Sequence, residues 1–300
     1  MATRKVRRPN RKGRKSASGS KDTYDVEIPT EPNVPPTDFS EYCTLIFGAK
    51  GAGKTSLCAQ LPGSLTIQLE PRRRNLRIRQ IEIPPVTISE LRESPSQVTP
   101  WQKIQAVIDK AITDKSVKHI CIDTVDRAYD AAFNHHCAKN NVDNPSDLND
   151  YGKTWDKIKQ DFERTLSLVH FTENPHKGLI LTSHSRHREV AEDDEAPEMF
   201  VPTCKPACWQ FLKACCDYAF YYGFSGNRRV LVLRGNEEIW TACGPEDFFL
   251  DPDGNPLQRI SMGTSPKEAY TNLLRAFANK IRDLDYVAPS TGKTRKRKRG

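Results

Sequence analysis

The chain has 300 residues, 37% of them hydrophobic, enough for one large α/β domain or two small ones with a buried core. No apolar run approaches the ~20 residues of a membrane span, and the basic N-terminus has no apolar segment behind it, so the expectation is a soluble, cytoplasmic protein with no membrane partner. The formal net charge of +8 belongs to the ends: residues 1–22 hold nine Lys and Arg against one Asp, residues 291–300 hold six Lys and Arg and no acid, and 23–290 is left at −6.

Such tails cannot bury apolar surface and read as disordered arms. They can be solubilising ends, or they can hold nucleic-acid phosphates by counterion release without reading sequence. An acidic core with two separate basic arms favours the second reading. Residues 23–41, with Pro29, Pro32, Pro35 and Pro36, read as an extended lead-in, and the folded domain is expected over 42–286, with 287–300 as the second tail.

The first strand is the apolar run Cys43–Phe47. It is followed by Gly48-Ala49-Lys50-Gly51-Ala52-Gly53-Lys54-Thr55-Ser56, a complete phosphate-loop spacing between a strand and a helix start. Glycines let the backbone curl its N–H groups around a phosphate. Lys54 would reach the β- and γ-phosphates and the Thr55 hydroxyl would ligate Mg²⁺, so residues 48–56 are expected to bind ATP.

Pro62-Gly63 breaks the first helix, and Leu65–Leu69 forms a second strand ending at Glu70. Residues 71–100, with Arg72, Arg73, Arg74, Arg77 and Arg79, read as an irregular insertion with a possible edge strand. Ile104, Val107, Ile108 and Ile112 recur at helical spacing. The strand His119–Ile122 then ends in Asp123, and a helix is expected over 126–139. The next, at about 151–171, would place Trp155, Ile158, Phe162, Leu166 and Val169 on one face.

Leu179–Thr182 is the next strand, ending in Ser183-His184. This alternation predicts an α/β fold, a mostly parallel sheet flanked by helices with ligands at the strands' C-terminal ends. Residues 185–206 read as a mobile loop with the acidic run Glu192–Glu195. A helix near 207–216, the segment Tyr218–Phe224, pieces at Val230–Leu233 and Glu238–Thr241 as antiparallel hairpin additions, and a helix at about 266–283 complete the domain.

Three strand-end residues carry candidate chemistry. Asp123 suits the Mg²⁺ partner of Thr55, or alternatively a cap for the next helix. Glu70 is placed to polarise an attacking water, one strand from the phosphate loop, or alternatively pairs with the neighbouring arginines. His184 can donate to a γ-phosphate and report hydrolysis to the loop beyond it, or is a satisfied strand-end histidine. The nine cysteines read as reduced core residues. Cys204, Cys208, Cys215 and Cys216 are the cluster to test for metal, though their spacing lacks the two-pair pattern of a zinc ribbon. His135, His136 and Cys137 read as structural.

GAKGAGKT, LTIQLEP, HICIDTVDRAYD, DYGKTWDKIKQDF and LILTSH, in that order, resemble the phage-encoded nucleotide-binding ATPases with a minimal RecA-like core, a family that includes proteins of single-strand annealing and recombination systems. The resemblance spans about 42–224. It implies a RecA-like ATPase in which Lys54, Thr55, Glu70 and Asp123 hold the roles argued above and His184 is a sensor. It further implies single-stranded DNA as partner and a homo-oligomeric ring or filament with an arginine supplied by a neighbour; Arg186, Arg188, Arg228 and Arg229 are the candidates, and the basic tails, to which the charge distribution assigns the DNA contact, are additions to the family pattern. The chain departs from that family's pattern twice: at Pro71 and the arginine run, where its members often carry glycines, and after His184, where RecA-like proteins hold DNA but the second half of this loop is acidic and would repel phosphates. A small-molecule kinase of the phosphate-loop class, or a nucleotide switch that does not hydrolyse, are the alternatives.

Overall fold

The computed structural model describes residues 30–32, 34–71, 76–170, 176–189 and 198–282. Both basic tails, Arg72–Arg74 and the acidic run Glu192–Glu195 lie outside them, as does the Arg188 side chain. The described residues from Pro36 onward belong to one compact unit.

Among the described residues, ten strands join one sheet. The strands are β1 (Cys43–Gly48), β2 (Ser64–Gln68), β3 (Gln80–Glu82), β4 (His119–Asp123), β5 (Gly178–Glu189), β6 (Glu198–Pro202), β7 (Tyr218–Ser225), β8 (Arg228–Val232), β9 (Ala242–Cys243) and β10 (Arg259–Ser261). The order is β10-β8-β7-β1-β5-β4-β2-β3, with β6 pairing to β5 and β9 to β7. From β7 to β3 the pairings are parallel; β8, β10, β6 and β9 join antiparallel. The α/β architecture is therefore mixed and partly parallel.

The helices are α1 (Lys54–Cys58), α2 (Ile88–Glu93), α3 (Pro100–Thr113), α4 (Val125–Lys139), α5 (Lys153–His170), α6 (Pro206–Cys215) and α7 (Pro266–Phe277). None is long and apolar enough to cross a membrane. Successive side chains of β1 alternate between two cores. Cys43, Leu45 and Phe47 pack with residues of α3 to α6 on one face, while Ile46 packs with α1 and α7 on the other. Such strands, covered on both faces, read as continuous apolar runs.

Four features differ from the sequence reading. In the insertion, Gln80–Glu82 is the edge strand, and α2 follows it, started by a capping box in which Thr87 and Glu90 satisfy each other's backbone N–H groups. The segment after His184 is not a loop throughout: β5 runs on to Glu189 and pairs with β6. Near Glu238–Thr241 there is one isolated bridge, Phe200 to Ile239, and the short strand lies at 242–243. On α5, Ile158, Phe162, Leu166 and Val169 are buried, but Trp155 is part-exposed against Phe133.

Packing also starts before Tyr42. A single helical turn, Phe39–Glu41, is capped by Asp38, and the buried Phe39 ring stands 5.5 Å from Phe277 and 6.2 Å from Tyr218. Phe39→Ala should therefore cost about 3–5 kcal/mol, as for other buried Phe truncations, read as a lower urea midpoint at unchanged slope. An extended lead-in with no packing role would give almost no shift.

Candidate active site

The C-terminal edge of the parallel strands carries the phosphate loop, Glu70, Asp123 and His184. Gly48 ends β1 with φ +149°, and a Cβ there would collide with the Tyr222 carbonyl of neighbouring β7. Only glycine lets the loop leave the sheet at that point. Gly53 caps α1 in the left-handed region, φ 111°, which glycine adopts without steric cost. Ala49, Lys50, Gly51 and Ala52 span the loop between them, and Lys54, Thr55 and Ser56 form the first turn of α1.

Lys54 is buried, and its ammonium donates to the carbonyls of Gly48 (2.8 Å) and Ala49 (3.0 Å). The loop's back is braced by Arg229 of β8, whose Nε donates to the Ala52 carbonyl at 3.0 Å. Thr55 Oγ1 donates to Asp123 Oδ2 at 2.5 Å, and Thr182 Oγ1 to Asp123 Oδ1 at 2.8 Å. Thr55 and Asp123 are hard oxygen donors side by side, a set that suits Mg²⁺.

Glu70 lies two residues beyond the end of β2. The sequence reading set it one strand from the phosphate loop, but β5 and β4 both stand between β1 and β2. It is brought to the site by contact instead: His184 Nε2 is 3.2 Å from both Glu70 carboxylate oxygens. Thr124 Oγ1 donates to Oε1 at 3.4 Å, and Gln68 Nε2 holds the Glu70 carbonyl at 2.8 Å. The hydrogen bond from His184 is the main cause holding the Glu70 pKa below its ordinary range, with the charges of His184 and Arg127 adding to it against partial burial. The Glu70 partner is thus His184, while the neighbouring Arg72–Arg74 lie outside the described residues.

Asp126, read from the sequence only as a helix start, is a further site residue. Its Oδ1 lies 3.0 Å from Ser183 Oγ and 2.9 Å from Thr203 Oγ1, while Oδ2 is buried with no hydrogen-bond partner. Burial is the main cause raising its pKa, against the hydrogen bonds from Thr203 and Ser183. The one signal in the sequence is its place three residues after Asp123. Of the arginine candidates, Arg229 is engaged in its own phosphate loop, Arg186 Nη2 is 3.5 Å from the Cys204 carbonyl, and Arg228 is exposed. His135 and His136 lie away from this edge, on Thr99 Oγ1 (3.0 Å) and Asp161 Oδ2 (2.9 Å).

A family model described as AAA domain matches residues 40–241. The chain belongs to the AAA domain family. The match takes in the phosphate loop and every site residue described above, so this AAA domain is a P-loop nucleotide-binding ATPase domain. No curated protein matches the chain.

The Glu70–His184 contact has a titration signature. Because the folded pKa of Glu70 is depressed, its contribution to stability is present above the unfolded glutamate value and is lost as pH falls through the lower folded value. Carbon-detected NMR should place the Glu70 carboxyl below the ordinary glutamate pKa, about 4.3, and His184→Ala should move it up. An unmoved value would assign the shift to Arg127 and Thr124 instead.

Proposed function

We propose that this AAA domain is a Mg²⁺-dependent ATPase of RecA-like architecture that works on single-stranded DNA, in phage-type recombination or replication, as a homo-oligomeric ring or filament. The observation that carries the hydrolytic part is the row along one sheet edge: Lys54, then Thr55 on Asp123, then Glu70 on His184. Residues 48–56 receive the triphosphate, with Lys54 turning from loop carbonyls to phosphate oxygens. Thr55 and Asp123 hold Mg²⁺, which when bound neutralises charge on the phosphate oxygens. Glu70, kept ionised by His184, accepts a hydrogen bond from the attacking water and aligns it. Its depressed pKa suits orientation of water better than long storage of a proton.

His184 is a positioning residue in this scheme, since its Nε2 faces the Glu70 carboxylate. Arg228, exposed on the β7–β8 hairpin, is the arginine best free to enter a neighbour's site. Support for the DNA part is electrostatic and rests on the resemblance: the tails carry the basic charge, while 23–290 is net acidic. Attachment by tails is salt-sensitive and sequence-tolerant.

Turnover and nucleotide binding separate the roles. Lys54→Ala should lose ATP binding. Glu70→Gln should keep binding and lose turnover by about 10²–10⁴-fold, the usual worth of a positioned base. Release of inorganic phosphate is the expected product; transfer to an acceptor would make the protein a kinase, and unchanged low turnover in Glu70→Gln would make it a switch.

Single-stranded DNA should raise the wild-type rate. Deleting 1–22 and 291–300 should weaken DNA binding well beyond any change in ATP binding, with a shallower salt dependence. Intact DNA affinity after truncation would move the contact to the core loops, and turnover indifferent to DNA without salt-sensitive binding would remove DNA from the proposal.

A further inference from the structure

Away from the phosphate loop, at the opposite end of β1, three cysteines from distant parts of the chain converge. Cys43 opens β1, Cys215 ends α6, and Cys216 leads into β7. Because β1 and β7 run parallel side by side, their first residues meet. Asp217 fixes that meeting: its carboxylate accepts the Cys43 N–H at 2.8 Å, and its own N–H donates to the Cys43 carbonyl at 2.9 Å. In a regular strand two adjacent side chains would point apart. Here the helix ends at Cys215 and Cys216 takes φ −85°, ψ 123°, and the two sulfurs turn to one side, 3.9 Å apart.

Cys43 Sγ is 3.7 Å from Cys216 Sγ, and all three sulfurs lie within 4.8 Å of one another. In a tetrahedral zinc site with Zn–S of about 2.3 Å, neighbouring sulfurs are ~3.8 Å apart. A disulfide would need about 2.05 Å, and all three are free thiols. Cys43 and Cys215 border a cavity of about 250 Å³ whose wall also includes Ser167 and His170.

We propose that Cys43, Cys215 and Cys216 form a three-thiolate site for a thiophilic ion of the Zn²⁺ type, its fourth coordination position opening onto the cavity that His170 lines. Binding ionises the three thiols, forms three metal–sulfur bonds, and releases the thiol protons to solvent. The ion would tie the starts of β1 and β7 to the end of α6, beneath the strand that carries the phosphate loop. Cys204 and Cys208, grouped with this pair by sequence proximity, do not join the set of sulfurs within 4.8 Å of one another.

The test is metal content of the full chain, purified under reducing conditions, exposed to Zn²⁺ and desalted, with Co²⁺ titration of the metal-free chain as a second readout. The expected result is one Zn²⁺ per chain and Co²⁺ absorption with thiolate charge-transfer and tetrahedral ligand-field bands. Both should vanish in the C215S/C216S double variant, which keeps ATP binding as its folding control. Three results overturn the site: wild type without bound Zn²⁺ or cobalt–thiolate bands, a double variant that folds and retains the metal, or fewer than nine free thiols in the unreduced, denatured wild type. Should the variant misfold, the Co²⁺ spectrum of the wild type decides alone.

Discussion

The carboxylate of Asp123 joins two parts of the fold that the sheet itself keeps apart. It ends β4, and β5 lies between that strand and β1, so the phosphate loop and the acid are not strand neighbours. Thr55 spans the gap from α1 to one oxygen, and Thr182 of β5 occupies the other. Hydrogen bonds to a charged acceptor contribute about 1.5–3 kcal/mol. Their larger consequence here is geometric: with both oxygens engaged, the loop's helix cannot shift relative to the sheet edge without losing a bond in a buried place. Parallel pairing then carries the alignment outward, Asp123 opposite Thr182 and Gly48 opposite His184.

Two more carboxyl groups flank this row, and their environments push them in opposite directions. Glu70 is part-exposed and held low, chiefly by the hydrogen bond from His184. Asp126 is mostly enclosed and pushed up by burial, with one oxygen bare of partners. Carboxyl groups separated in this way can serve different roles in one site. Their linkage to folding is also opposite in sign. Glu70 adds stability above its unfolded pKa. Asp126, whose folded pKa is raised, favours the folded state below its unfolded value and withdraws that support as pH rises through the folded one.

The local parts of this arrangement were legible in the sequence, because phosphate-loop spacing, apolar runs and strand-end polar residues are encoded within a few positions. Gly48 to Ser56, Glu70, Asp123 and His184 were found this way, and the structure brings them to one edge. Strand order is not encoded locally, so Glu70 was set beside the phosphate loop when two strands intervene, and its contact with His184, 114 positions away, could not be read. The Thr87–Glu90 capping box was a readable signal for α2, obscured by the surrounding prolines. Cys43 was missed as a neighbour of Cys215 and Cys216 for the reason that hid Glu70's partner: only the β1–β7 pairing brings them together.

His184 also marks where β5 changes partners. The strand pairs with β4 up to Thr182 and with β1 up to His184; from Ser185 it pairs with β6. The root of this two-stranded ribbon is tied down twice, by the Thr203 N–H on the His184 carbonyl at 3.0 Å and by Thr203 Oγ1 on Asp126. One residue therefore holds the Glu70 carboxylate with its side chain and the ribbon with its backbone. A displacement of Glu70 that draws His184 with it must either move the ribbon root or break the Thr203 contacts. The Phe200–Tyr221 ring contact at 5.4 Å joins the paired ribbon to β7, the strand whose Tyr222 carbonyl packs against Gly48.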